Sequence, residues 1–114
     1  MLDLTGNNFG VAGAKGLSTL DSPGLRMLQL SLNDRLDDDA VEALAAGAWP
    51  QLSGLFIAST RVSSAGVMAL AESPLLWPAL LELDVSENEI YGEYVEALFE
   101  AIEAHWPHLQ LYYA

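Results

Sequence analysis

The sequence contains no cysteine, so it can form no disulfide, thiolate zinc site or thiol nucleophile. Only four of its 114 residues are lysine or arginine, whereas 16 are aspartate or glutamate, and the net charge is −12. This charge opposes binding to the phosphate backbone of nucleic acids and to anionic lipid surfaces. We therefore expect neither nucleic acid nor a membrane as a partner.

Long apolar runs are also lacking, and residues 1–4 have neither the basic nor the hydrophobic segment of a signal peptide. We therefore expect a soluble, unprocessed, cytoplasmic protein. The sequence has no Ser-His-Asp arrangement, phosphate-binding loop or nucleotide fingerprint, which argues against an enzyme and against a cofactor. A hydrophobic content of 52% is enough to form a core, and we expect a single domain over residues 1–114.

A strand pattern of the form L-x-x-L-x-L-x-x-N recurs along the chain. Two complete copies and a third with threonine in place of asparagine are Leu25, Leu28, Leu30, Asn33; Leu80, Leu83, Val85, Asn88; and Leu52, Leu55, Ile57, Thr60. The chain begins inside a further copy with Leu2, Leu4 and Asn7, and the successive last positions are 26, 27 and 28 residues apart. This spacing predicts repeats at approximately 1–24, 25–51, 52–79 and 80–108, followed by a partial strand at 109–114.

Other positions repeat with the same period. A pair of apolar residues three apart, typical of one helix face, follows each strand: Ala14 with Leu17, Val41 with Leu44, Val67 with Leu70, and Val95 with Leu98. A Pro-x-Leu sequence closes the copies at Pro23, Pro50, Pro78 and Pro107, and tryptophan precedes the last three as Trp49, Trp77 and Trp106. Proline ends the helix and favours extended backbone before it, and we expect each tryptophan to fill the last helical turn.

These patterns predict an α/β solenoid. Alternating L-x-L residues form a strand with one buried face, the helix packs on that face, and a helical connection returns the chain to the next parallel strand. The asparagine side chains are placed to bond the backbone of neighbouring turns. The predicted architecture has a parallel β-sheet on the concave face, α-helices on the convex face, and about four repeats of 26–29 residues.

The repeat length, the strand pattern and a helix that opens with Ala65-Gly66-Val67-Met68-Ala69-Leu70 resemble the ribonuclease-inhibitor-like class of leucine-rich repeats over essentially the whole chain. The resemblance implies a binding scaffold, because members include inhibitors, Ran GTPase activators, tropomodulin-like caps and pathogen sensors. The sequence departs from the class at Thr60, in a first helix rich in glycine, and in its small number of repeats.

The outward side chains of the predicted strands form three columns on the concave face: Met27, Gly54, Glu82; Asp3, Gln29, Phe56, Asp84; and Thr5, Ser31, Ala58, Ser86. This face runs from small polar residues, across an exposed aromatic at Phe56, to an acidic end at Glu82, Asp84 and Glu87. A protein partner that presents a basic patch beside an apolar group would suit it, with Gln29 completing the predicted contact residues. The alternative interpretation is that these are solvated strand residues.

Two further clusters have structural explanations. Asp37, Asp38 and Asp39 lack the glycine and the distal glutamate of an EF-hand loop, so we expect Asp37 to cap a helix and no metal site to form. His105 and His108 flank a proline without cysteine nearby, and the helix dipole accounts for His105.

Three functions remain open. The first is a protein-interaction module that uses the concave face. The second, implied by the resemblance, is a GTPase-activating accessory protein of the Ran-activator type, in which Arg35 would be the active side chain. The third is the terminal part of a larger array with no activity of its own, because both ends of the solenoid lack polar caps; self-association through the terminal strands would also cover these ends.

Overall fold

The computed structural model describes residues 1–19, 24–47, 49–72, 77–90 and 95–113. Strands and helices alternate along these segments. The strands are β1 (Leu2–Asp3), β2 (Met27–Gln29), β3 (Gly54–Phe56), β4 (Glu82–Asp84) and β5 (Gln110–Tyr112). The helices are α1 (Val11–Ser18), α2 (Asp38–Ala45), α3 (Ser64–Ala71) and α4 (Val95–His105). None of these helices is long and apolar enough to cross a membrane.

The five strands form one parallel sheet in the order of the chain. Leu28 pairs with Leu2 on one side and with Leu55 on the other, and Leu55 pairs in turn with Leu83. Equivalent residues of successive repeats therefore pair with each other, without a shift in register. The predicted α/β solenoid, in which a parallel sheet forms one side and the helices form the other, is confirmed.

The core lies between the sheet and the helices, where the repeated apolar positions meet. The central strand leucines Leu28, Leu55 and Leu83 are fully buried. Seven of the eight predicted helix positions are buried as well, and the eighth, Val95, is half-buried. Because each buried leucine contributes about 1.5–3 kcal/mol, this shared layer holds short strands and helices of eight to 11 residues in place.

Asparagine side chains join one copy to the copy before it. Asn33 is fully buried, and its Oδ1 accepts the backbone N–H groups of Asn7 and Phe9, each at 2.8 Å. Its Nδ2 donates to the carbonyl oxygens of Leu4 at 3.1 Å and Leu30 at 2.8 Å. The predicted bonding of asparagine to neighbouring turns is thus confirmed, and the bonds satisfy backbone groups where the chain leaves the sheet.

The residue before each of these polar positions adopts a left-handed backbone conformation. The φ angles are +67° at Gly6, +60° at Leu32, +52° at Ser59 and +54° at Glu87. Only the first of these four is a glycine, which adopts this conformation without steric cost. Each repeat therefore makes the same tight turn after its strand, and three of the four turns carry strain.

The tryptophans also connect successive copies. Trp49 Nε1 donates to the carbonyl oxygen of Leu44 at 2.8 Å, which confirms that it fills the last turn of α2. Trp49 stacks on Trp77 with ring centroids 5.4 Å apart, and Trp106 Nε1 donates to the carbonyl oxygen of Trp77 at 3.1 Å. The sequence predicts the first contact but not the two that cross between copies. Pro23, which closes the first copy, lies outside the described residues.

The start of α2 is linked to the start of α3. Asp37 caps α2 by accepting the N–H of Ala40 at 2.9 Å, as predicted. Asp38 reaches the next copy, where its carboxylate accepts the N–H of Ser63 at 2.8 Å and its hydroxyl at 2.6 Å. A Cβ atom at Gly66 would collide with this carboxylate, so the glycine makes the approach possible.

Candidate functional site

The sheet brings the predicted concave-face residues into register. Met27 pairs with Gly54, which pairs with Glu82, and Gln29 pairs with Phe56, which pairs with Asp84. Neighbouring parallel strands lie about 4.8 Å apart, so each pair stands side by side on one face. The residues of each of the first two predicted columns are therefore neighbours across adjacent strands, as the sequence predicts. The third column, from Thr5 to Ser86, lies in the segments that follow the strands.

Phe56 is half-buried, which differs from the exposed aromatic side chain that the sequence predicts. Its ring leans back along β3 and lies over Gly54, where a Cβ atom would be 2.9 Å from Phe56 Cε2. The Cε atom of Met27 approaches the same point to 3.2 Å. Because Gly54 has no side chain, the ring can lie directly over its backbone. Phe56, Gly54 and Met27 together form an apolar patch on the face.

Several polar side chains in the second column serve to end the strands. Asp84 Oδ1 accepts the N–H of Ser86 at 3.0 Å and its hydroxyl at 2.6 Å. Asp3 accepts the hydroxyl and the N–H of Thr5 in the same way, and these two bonds lower the pKa of the Asp3 carboxyl group. Gln29 accepts the N–H of Ser31 at 3.1 Å. These residues therefore have a structural role beside any role in binding.

Glu82 differs from these residues. It lies in register with Gly54, half-buried on the same face as the apolar patch. Within the described parts of the chain, its carboxylate accepts no hydrogen bond and forms no ion pair. It is therefore available to a cationic group of a partner.

Glu87 lies in the turn beyond β4 and not on the strand with Glu82 and Asp84. Its carboxylate accepts the hydroxyl of Ser59 at 3.0 Å. Together with Thr60, Arg61, Asn88 and Glu89 it lines a polar cavity of about 660 Å³ beyond the C-terminal ends of β3 and β4. Four of the five predicted contact residues, Gln29, Phe56, Glu82 and Asp84, therefore lie together on the strands. The fifth, Glu87, lies at the rim of this face, in the turn after β4.

Strand β5, which the sequence predicts as a partial strand, adds two residues to the face that the predicted columns did not include. Gln110 pairs with Glu82, and Tyr112 pairs with Asp84. Tyr112 is 45% exposed and lines a cavity of about 430 Å³ together with Asp84, Ser86, Leu111 and Tyr113. The fit of Leu109 and Leu111 to the strand pattern predicts β5, so the same spacing could have identified Tyr112.

The described residues contain no group of three or more histidine, cysteine, aspartate or glutamate side chains that could hold a metal ion. Asp38, part of the predicted acidic cluster, is instead bonded to Ser63. His105 and His108 are both exposed. Arg35 is exposed in the turn after β2, and its backbone carbonyl oxygen lies 3.0 Å from the position of a Cβ atom at Gly10.

Comparisons with known proteins agree with this architecture. The model of the family described as Leucine Rich repeat matches residues 2–18 and 22–45. Leiomodin-1 actin-binding site 2 has a similar solved structure, with a TM-score of 0.80 and 16% sequence identity over 99% of this chain and 69% of that chain. No curated protein matches the sequence. The ribonuclease-inhibitor-like class stays a prediction, as do the repeat boundaries.

Proposed function

Because the chain is a leucine-rich-repeat protein, we propose that it is a protein-interaction module whose concave face binds a partner with a basic patch. In this proposal the chain binds a partner and does not catalyse a reaction. The contact residues are Gln29, Phe56, Glu82 and Asp84 on the strands, with Glu87 at the rim.

The observation that carries the proposal is the arrangement at the centre of the face. A half-buried aromatic ring and a methionine methyl group lie beside the carboxylates of Glu82 and Asp84 in adjacent register positions. Aromatic and apolar side chains supply most of the binding energy at protein interfaces, and surrounding charges steer and orient the partner. The columns of the face hold no lysine or arginine, so its charge is uniformly acidic.

The solved structure with a similar fold adds support of a coarser kind. That structure is named as an actin-binding site, so a solenoid of this shape serves as a binding surface in that protein. At 16% identity the likeness concerns the fold, and it does not identify the partner of this chain.

The double variant Phe56→Ala, Asp84→Lys tests the face. Affinity capture with mass spectrometry should show that partners held by the natural chain are lost, because the variant removes the aromatic ring and reverses a charge. The matched control is Val11→Ala, Glu42→Lys, which truncates an apolar side chain and reverses a charge on the helical side. It should retain the partners. If the first variant keeps every partner, the concave face is not the binding surface.

A finer part of the proposal concerns the C-terminal end of the sheet. Strand β5 pairs with β4, and Phe99, Ile102, Trp106, Leu109 and Leu111 contribute to an apolar groove of about 340 Å³ beside it. We propose that a second copy of the chain covers this end. A monomer mass at all concentrations in light scattering would contradict self-association.

A further inference from the structure

We propose that Phe56 and Glu82 form a binding site for the guanidinium group of an arginine side chain presented by the partner. The proposal deepens the one above and rests on it, because it assumes that the concave face is the surface that the partner contacts. It identifies which part of a basic patch is recognised, and it assigns separate roles to the ring, the carboxylate and Gly54.

The first step concerns the position of the ring. Phe56 Cε2 and Cζ would lie 2.9 and 3.3 Å from a Cβ atom at Gly54, so one side of the ring rests on bare backbone. The Met27 methyl group closes the side towards β2. Phe56 is only half-buried, and its remaining surface is turned to the solvent on the concave face.

The second step concerns the nearest charge. Glu82 is the register partner of Gly54, so the ring that lies over Gly54 also lies beside the Glu82 side chain. Of the two strand carboxylates near the ring, Asp84 already accepts two bonds from Ser86, whereas Glu82 accepts none among the described residues. An unshared carboxylate next to an aromatic ring is suited to a cation that needs both an ion pair and a π face.

The third step concerns the kind of cation. A guanidinium group is planar and weakly hydrated, so it stacks flat on an aromatic ring while its edge donates two hydrogen bonds to a carboxylate. A lysine ammonium group is compact and strongly hydrated, and it cannot satisfy both contacts with one flat surface. The side-by-side arrangement of ring and carboxylate therefore favours arginine.

The test uses the full chain labelled with ¹⁵N and three short peptides, acetyl-Gly-X-Gly-amide, in which X is arginine, lysine or citrulline. Citrulline has the shape of arginine without its charge. The arginine peptide should shift the amide signals of residues 54–56 and 82, with a dissociation constant about five-fold lower than that of either other peptide. Equal binding of the arginine and citrulline peptides, or of the arginine and lysine peptides, would overturn the proposal.

Two pairs of variants separate this site from general attraction to an acidic protein. Glu82→Gln should weaken binding of the arginine peptide about three-fold, whereas Glu100→Gln, which makes the same change of charge at an exposed position of α4, should leave it unaltered. Gly54→Ala should weaken binding because the new Cβ displaces the ring. Gly24→Ala, with no atom within 4 Å of the new group, is its control. Equal effects within either pair would contradict the assignment.

The two proposals can fail separately. If the arginine peptide shows no preference while Phe56→Ala, Asp84→Lys still abolishes capture of the partner, the concave face binds protein and the guanidinium site is wrong. If capture survives that double variant, the binding surface itself is wrong, whatever the peptides show.

Discussion

At the scale of single residues, the polar position after each strand is the most informative one. Asn33 Oδ1 accepts two hydrogen bonds and its Nδ2 donates three, all with backbone groups of two copies. At the equivalent Thr60, the hydroxyl group lies 3.0 Å from the carbonyl oxygen of Ile57 and 3.1 Å from Asn88 Oδ1. Threonine has no second polar atom, so its side chain cannot reproduce the bonds of asparagine.

We expect Thr60→Asn to raise the free energy of unfolding by about 1 kcal/mol. An asparagine oxygen at this position would accept the N–H groups of Asn33 and Arg35, as Asn33 itself accepts those of Asn7 and Phe9. Urea denaturation followed by circular dichroism measures the change. Thr60→Val, which has the same shape and no hydroxyl group, should lose about 1 kcal/mol, and a stabilising effect of valine would contradict this explanation.

The left-handed turn position provides a second residue-scale prediction. Leu32 has φ +60° and is 61% exposed, so it gains little from burial and pays for a strained backbone. Leu32→Gly should therefore raise the free energy of unfolding by about 0.5–1 kcal/mol, as measured by thermal unfolding. This value is the relief of backbone strain minus the cost of the greater conformational entropy that glycine gives the unfolded chain.

Gly6 supplies the reciprocal change at the first copy. It has φ +67° and no atom within 4 Å of an added Cβ, so Gly6→Ala tests backbone strain without a steric clash. This variant should lose about 1 kcal/mol. If both variants shift stability in the same direction, strain at this position is not the cause.

At the scale of elements, the N-termini of α2 and α3 are bonded to each other and not only capped. Asp37 acts within α2, whereas the Asp38 carboxylate binds Ser63 at the start of α3. Asp38→Ala should cost about 1–2 kcal/mol and speed hydrogen exchange at the amide of Ser63. Asp37→Ala should instead speed exchange at the amide of Ala40. Identical exchange profiles for the two variants would show that the link between α2 and α3 has no local effect.

The sequence predicts the elements better than the links between them. The L-x-L alternation and the apolar pairs predict the strands and helices because both follow from burial of one face. The stacking of Trp49 on Trp77, the contact of Asp38 with Ser63 and the position of the Phe56 ring over Gly54 depend on side-chain directions across copies. Periodicity carries no information on these directions, so the candidate site could be located from the sequence but not described in detail.

At the scale of the whole molecule, charge is distributed unevenly. Residues 80–114 contain eight acidic residues and no lysine or arginine, so they carry −8 of the total −12. Exposed like charges repel one another and destabilise the folded state, and salt screens this repulsion. Raising the salt concentration from about 20 to about 200 mM should therefore raise the melting temperature by a few degrees.

A charge variant provides the control for this effect. Glu96→Lys with Glu100→Lys replaces two negative charges by two positive ones on exposed positions of α4, which changes the net charge from −12 to −8. The gain from salt should become smaller in this variant. An unchanged gain would point to a general salt effect on apolar burial and not to charge repulsion.

The central claim is that partners contact the sheet face and not the helical face. Site-specific photo-crosslinking in cells tests it most directly, with a photoreactive benzoylphenylalanine placed at position 29 on β2 or at exposed position 42 on α2. The account predicts a crosslinked adduct from position 29 that disappears when Phe56→Ala is added, and none from position 42. An adduct from position 42 without one from position 29 would contradict it.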